Sequence, residues 1–325
     1  MQPAAFCAQT RLLIVAGKGG VGKTTVTAAV ARMAARAGLT TLIVEVEGKS
    51  GISTMFGRST PLGYEEAILA KGGGPDGAAD VLARMLTPDD ALVEYLEDHG
   101  MKRLSKRLAS SGAIDVVSTA APGIKDILVL GKVKALERSD AIDLIVLDAP
   151  AAGHAVTFLT SAQGLLDAVS VGPIRAQAQD VVELLSDASR SQVLLVTLPE
   201  ETPVNEVVET AFALEDRVGV SLAPVVVNGL YPVLDLATDV TGAAASAGIR
   251  LSAERLAALS AAAEFRRGRQ ELQAQQVERL RAALPLPQLH LPFIFSDEIG
   301  PAEIDVLAAA LAASLEPLDL TDLHR

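Results

Sequence analysis

Along the chain, continuous apolar runs of strand length alternate with longer stretches in which apolar residues return every three or four positions. Runs that are apolar at every position suit strands buried on both faces, and their alternation with helical patterns marks a parallel sheet covered by helices on either side. The runs are Leu12 to Ala16, Thr41 to Val46, Ile142 to Leu147, Val193 to Leu198 and Pro224 to Val227. A sixth candidate strand, Gln288 to Leu291, sits between prolines, which suit an edge position better than a central one. Between the first two runs Val26, Ala29, Val30, Met33 and Ala37 share one helix face, Arg32 and Arg36 lie on another, and Gly38 stands where a helix ends. Leu12 to Val46 therefore reads as a βαβ unit.

From Phe56 to Asp140 the alternation stops. Helix-like pieces dominate, broken at Gly72-Gly73-Gly74-Pro75-Asp76-Gly77 and restarted at Thr87-Pro88-Asp89-Asp90, so the span of about 57–140 is expected to be a helical insertion. Ser252 to Leu284 is a long, charged, Gln-rich helical pattern with Gly268 as a possible break and Pro285 as a stop, which suits a solvated outer helix. No repeat of the whole unit is visible, and no low-complexity tract beyond alanine richness. At 325 residues the chain has room for two domains of about 150 residues, but the pattern fits one large α/β domain over residues 1–325, a mostly parallel, doubly wound sheet with the insertion.

Charge narrows the partners. Against 40 Asp and Glu stand 28 Lys and Arg, a net −12, so no general attraction to nucleic acid or anionic lipid is expected. The lone cysteine, Cys7, cannot by itself build a disulfide, a thiolate metal cage or a cysteine-ligated cluster, which fits a reducing, cytoplasmic setting. Apolar residues make up 50% of the chain, yet its longest charge-free stretches, Ala149 to Leu166 and Val218 to Leu234, carry Gly, Asn, His or Pro, so no transmembrane segment is expected. The opening Met-Gln-Pro-Ala-Ala-Phe-Cys lacks a basic start and a long apolar run, and the mature protein is expected to begin there.

The strongest chemical signal is Gly17-Lys18-Gly19-Gly20-Val21-Gly22-Lys23-Thr24, followed by Thr25. It matches G-x-x-x-x-G-K-[ST] and lies between a strand and a helix, the context in which that pattern cradles phosphate. Glycines let backbone N–H groups converge on phosphate oxygens, the helix N-terminus adds positive dipole, Lys23 neutralises β/γ charge, and the Thr24 hydroxyl suits Mg²⁺. The ligand expected is a nucleoside triphosphate. Asp148, directly after the run Ile142 to Leu147, places a carboxylate at a strand's C-terminal end beside this loop, where it suits a water ligand of Mg²⁺.

With Lys18 after its first glycine, the loop resembles the deviant phosphate loop of the MinD, ParA, nitrogenase iron-protein and ArsA ATPases. In that group the extra lysine reaches across a dimer interface to the partner's nucleotide. Within it, Asp148-Ala149-Pro150-Ala151-Ala152-Gly153-His154 through Leu159 resembles the switch II signature of the ArsA family and its relatives that target tail-anchored membrane proteins, with Ala149 and Ala152 in place of two threonines. For His154, packing or a helix-start cap remains the alternative. Val225-Val226-Val227-Asn228 resembles the family's adenine-reading strand end, and Leu291-Pro292-Phe293 with the following Gly300 its loop over the base. Pro199 to Glu206 and the helix from Phe265 to Leu284 are similar too, so the resemblance runs from about Leu12 to Gly300.

Departures matter as much. The family's switch I aspartate, which orients the attacking water, matches Glu47, whose carboxylate is one methylene further out. The cysteines needed for arsenite sensing, for a dimer-bridging zinc or for a shared cluster are absent. The segment Ile304 to Leu320 lacks Lys and Arg, so a cationic membrane helix is not expected. The resemblance thus implies a single-half ArsA-type ATPase, binding ATP and Mg²⁺, hydrolysing slowly, and working as a homodimer or as a heterodimer with a paralogue. Its alternatives are a nucleotide-binding scaffold with little hydrolysis and a ParA- or MinD-like positioning ATPase. Met55, Met85 and Met101 are too few for a Met-rich client groove, so a protein or transporter partner is expected instead.

Overall fold

The computed structural model describes residues 1–46, 51–74, 77–98, 100–101, 103, 123–150 and 152–319, with backbone alone at 152–154. Their strands form one sheet: β1 (Leu12–Ala16), β2 (Thr41–Val46), β3 (Ala67–Ala70), β4 (Val81–Leu86), β5 (Leu144–Asp148), β6 (Ser191–Thr197), β7 (Val225–Leu230) and β8 (Gln288–Pro292). Its order is β3-β4-β2-β5-β1-β6-β7-β8, parallel throughout except for β3 on β4. The described helices are α1 (Pro3–Cys7), α2 (Lys23–Arg36), α3 (Ile52–Met55), α4 (Pro88–Asp98), α5 (Ile124–Glu137), α6 (Ala152–Ala168), α7 (Pro173–Ser186), α8 (Glu201–Val218), α9 (Val240–Ser246), α10 (Ala253–Ala283) and α11 (Pro301–Leu315). The α/β class read from the pattern is the one observed.

The continuous apolar runs have a simple cause: each of the inner strands β1, β2, β5, β6 and β7 serves two cores at once. Leu12, Ile14, Leu42, Val44, Ile145 and Leu147 face α5, α6, α7 and α8, while Leu13, Val15, Ile43, Leu144 and Val146 face α1, α2 and α11. A period of two is present in direction but not in polarity. β5 slots between β1 and β2, with Val15 and Glu45 both paired to Asp148, so the C-terminal ends of all three strands meet at one crevice. Open α/β sheets bind ligands at such crevices.

The expected helical insertion is corrected. β3 and β4 fall inside the span of about 57–140, and β4 runs parallel to β2 from Thr41↔Val81 to Val46↔Leu86. Leu, Ala, Arg and Met in β4 are strong helix formers, but the open edge of β2 supplies backbone partners that outweigh propensity. Arg84 is buried there, its guanidinium 4.6 Å from the Tyr64 ring centroid and 3.5 Å from Glu66. Helix does return where expected: the Thr87 hydroxyl accepts the Asp90 N–H at 3.1 Å, and α4 begins at Pro88. Residues 104–122 of that span lie outside the described residues.

The long charged helix and the proline-flanked strand are both observed, and the possible break at Gly268 is not. α10 runs unbroken through Gly268, capped by the Ser252 hydroxyl accepting from the Arg255 N–H at 3.3 Å, and buries only Gln273 and Leu280. A helix interior tolerates one glycine at a cost of about 1 kcal/mol, which 31 residues of helix absorb. The segment between prolines forms β8, which is an edge strand, where proline costs no sheet hydrogen bond. No described helix is long and apolar enough to cross a membrane.

Candidate functional site

The glycine-rich loop joins β1 to α2 inside this crevice. A Cβ on Gly17 would stand 2.4 Å from the Val196 carbonyl oxygen of β6, so only glycine lets the two backbones approach. Gly22 has φ +89°, and a Cβ there would stand 2.3 Å from Asn228 Nδ2. Gly19 and Gly20 are exposed, Val21 is buried, and Thr25 is half-buried in the first turn of α2. That turn has no side-chain cap and no acidic residue, so its N–H groups and dipole are left for an anion.

The polar side chains converge as the motif requires. The Thr24 hydroxyl donates to Asp148 Oδ2 at 2.7 Å, and Asp148 Oδ1 is buried with no hydrogen bond within normal distance among the described residues. Burial pushes the Asp148 carboxyl above the ordinary aspartate range, opposed by the Thr24 hydroxyl, the Lys23 charge and the nearby Thr27 hydroxyl. Burial likewise lowers the Lys23 ammonium, with the Asp148 charge opposing. Lys23 Nζ donates to the Lys18 carbonyl at 3.1 Å, and Lys18 Nζ lies 3.1 Å from Glu206 Oε1 on α8. A hydroxyl oxygen beside an unpartnered, buried carboxylate oxygen is a donor set that fits a hydrated, hard divalent cation.

On the far side of the loop, Asn228 Nδ2 donates to the Val21 carbonyl at 2.9 Å, binding the end of β7 to the loop. Phe293 follows Pro292 at the end of β8, and its N–H donates to the Leu230 carbonyl at 2.7 Å, which ties the exit of β8 to that of β7. Phe293 packs edge-on against Tyr231 at 5.1 Å and against Phe295 at 4.8 Å, and the Arg266 guanidinium covers Tyr231 at 4.2 Å. Gln273 of α10 holds the strand exit from behind, accepting from the Tyr231 N–H at 2.9 Å and donating to the Gly229 carbonyl at 3.1 Å. Asn228, Pro292 and Phe293 therefore share one wall beside the loop. Phe293 is 40% exposed.

Glu47 lies outside the described residues, as does the side chain of His154. Several residues near the crevice were not among the candidate site residues. Glu45 is buried at the end of β2, in register with Asp148, and its one signal was an acid within an apolar run. Tyr231 and Arg266 carried no local signal, because they meet only when α10 folds back over the end of β7.

A parallel α/β sheet with this loop between its central strand and the next helix defines a phosphate-loop nucleotide-binding protein. Comparison with known proteins narrows the class. The profile described as "Anion-transporting ATPase" matches residues 10–171. "ATPase BagA" of Mycobacterium tuberculosis is 32% identical over 93% of this chain and 92% of its own length. "Arsenical pump-driving ATPase" of Escherichia coli is 27% identical over 71% of this chain but only 41% of its own length. "ATPase get3" of Schizosaccharomyces japonicus is 26% identical over 45% of this chain and 42% of its own. The chain belongs to the ArsA-type anion-transporting ATPase family.

Proposed function

We propose that residues 1–325 act as a single domain that binds ATP with Mg²⁺, hydrolyses it slowly, and switches a dimer between two states. The observation that carries this reading is the Thr24–Asp148 hydrogen bond of 2.7 Å, with Asp148 Oδ1 buried beside it and unpartnered among the described residues. It joins the start of α2 to the end of β5 at the place where a nucleotide's metal is needed. Thr24 would hold Mg²⁺ directly and Asp148 through water. When bound, Mg²⁺ neutralises charge on the β- and γ-phosphate oxygens.

The protein's own groups divide the remaining work. Gly17, Gly19, Gly20, Val21, Gly22 and Thr25 supply the loop backbone and helix start that wrap the phosphates, and Lys23 leaves the Lys18 carbonyl to meet the β/γ oxygens. Lys18 serves the partner subunit's nucleotide. Asn228 reads adenine, with Pro292 and Phe293 closing over the base, and Glu47 orients the attacking water. The dimer is a homodimer or pairs with a paralogue, and its client is a protein or transporter in the cytoplasm, with no direct contact to nucleic acid. A glutamate at the switch I position favours slow turnover and supports a second reading, a nucleotide-bound scaffold with little hydrolysis.

Calorimetry with ATP and GTP, with and without Mg²⁺, tests the reading. The expected result is a Mg²⁺-dependent preference for ATP that Lys23→Ala abolishes. Equal ATP and GTP affinity, or undiminished ATP binding by the Lys23 variant, would overturn it.

A further inference from the structure

Both loop lysines are already engaged by the chain itself. Lys23 Nζ is on the Lys18 carbonyl at 3.1 Å, and Lys18 Nζ is on Glu206 Oε1 at 3.1 Å. Nucleotide must displace both contacts, this subunit's own at Lys23 and the partner subunit's at Lys18, but they are unequal competitors. The carbonyl is a neutral acceptor, whereas the carboxylate carries a full charge and makes a charge-assisted bond. The pair is only partly exposed, 41% for the Lys18 side chain and 29% for that of Glu206, so water screens it incompletely.

The helix that carries Glu206 is also held in place. Val204, Val207, Ala211 and Leu214 of α8 are buried, and Glu200 and Glu201 at the start of the same helix lie 3.4 Å from Arg269 and 4.0 Å from Arg279 of α10. Lys18, by contrast, sits beside the exposed Gly19 and Gly20. Of the two partners, the lysine is the one free to change acceptor.

We propose that Glu206 is a positioning residue that holds Lys18 in the nucleotide-free protein, so that nucleotide-linked pairing transfers the Lys18 ammonium from the Glu206 carboxylate to phosphate of the partner subunit's nucleotide. This rests on the reading of the loop as an ATP site. Glu206 thereby sets how much triphosphate is needed before Lys18 is released.

The test is calorimetry of Mg²⁺ and ATP on four proteins: wild type, Glu206→Gln, Lys18→Ala and the double variant. Glu206→Gln should tighten binding about two- to fivefold when Lys18 is present, the range a half-exposed ion pair supplies, and by less when it is absent. Glu206→Asp, which keeps the carboxylate, should stay nearer to wild type. An equal gain in both backgrounds would overturn the proposal, because simple repulsion between Glu206 and phosphate does not need Lys18. So would an unchanged or weakened affinity in Glu206→Gln. If wild type binds no ATP, the reading of the loop fails as well, an outcome distinct from normal binding without coupling.

Discussion

Replacing Asp148 with asparagine should stabilise the nucleotide-free protein while weakening its response to Mg²⁺ and ATP. Asp148 is 8% exposed and accepts from the Thr24 hydroxyl at 2.7 Å, while among the described residues its other oxygen and the nearby Thr27 hydroxyl are buried without a hydrogen bond. Burial raises its pKa above the ordinary range. An acid with a raised folded pKa stabilises the fold below its unfolded pKa and loses that contribution as pH rises through the folded value. At neutral pH the ionised group is therefore a net cost. Asparagine keeps an oxygen for Thr24 and offers its amide to Thr27.

Relieving a buried unsatisfied polar group contributes about 1–3 kcal/mol, and about 2–4 °C in Tm accompanies each kcal/mol in a large domain. Thermal unfolding without nucleotide should thus place the variant several degrees above wild type at pH 7, with the gap closing as the pH falls and Asp148 protonates. ATP at about 100 times its Kd stabilises a binding-competent protein by about 2.7 kcal/mol. Wild type should show that shift with Mg²⁺ and the variant much less of it, because an amide is a poorer partner for a hydrated cation than a carboxylate. A variant less stable than wild type at pH 7, or one with an undiminished Mg²⁺–ATP shift, would contradict this account.

Gly22→Ala should lose at least about tenfold in ATP affinity, since φ +89° costs alanine about 1–3 kcal/mol and its Cβ would drive Asn228 from the Val21 carbonyl; calorimetry checks this. Glu47→Gln should keep ATP affinity but lose phosphate release in a steady-state assay, and turnover at the wild-type rate would make Glu47 a loop acid without a catalytic part. Cys7 is buried and its thiol is pushed up to about 12, so a thiol reagent should label it slowly in the native protein and Cys7→Ser should leave ATP turnover with arsenite unchanged.

Local order in the chain was enough to encode the phosphate chemistry. Glycine spacing, Lys23 and Thr24 lie within one short motif, and a strand–turn–helix pattern on either side places them at a strand end without knowledge of the rest of the chain. Asp148 was legible for the same reason, as the acid closing an apolar run. The two-sided burial of β1, β2 and β5 was legible because it removes polar residues from both faces at once.

Folding settled what depends on partners distant in sequence. β4 is a strand because β2 offers it an edge, against the helix propensity of Leu, Ala, Arg and Met. The aromatic wall of Tyr231, Phe293 and Phe295 forms where two strand exits and α10 meet, and the Lys18–Glu206 pair joins the phosphate loop to a helix that begins only after β6. Local propensity is set by neighbours within a few residues, whereas an ion pair or an edge strand draws its free energy from whichever surface folding brings near. A chain read in order shows the first kind of constraint and leaves the second to the folded state.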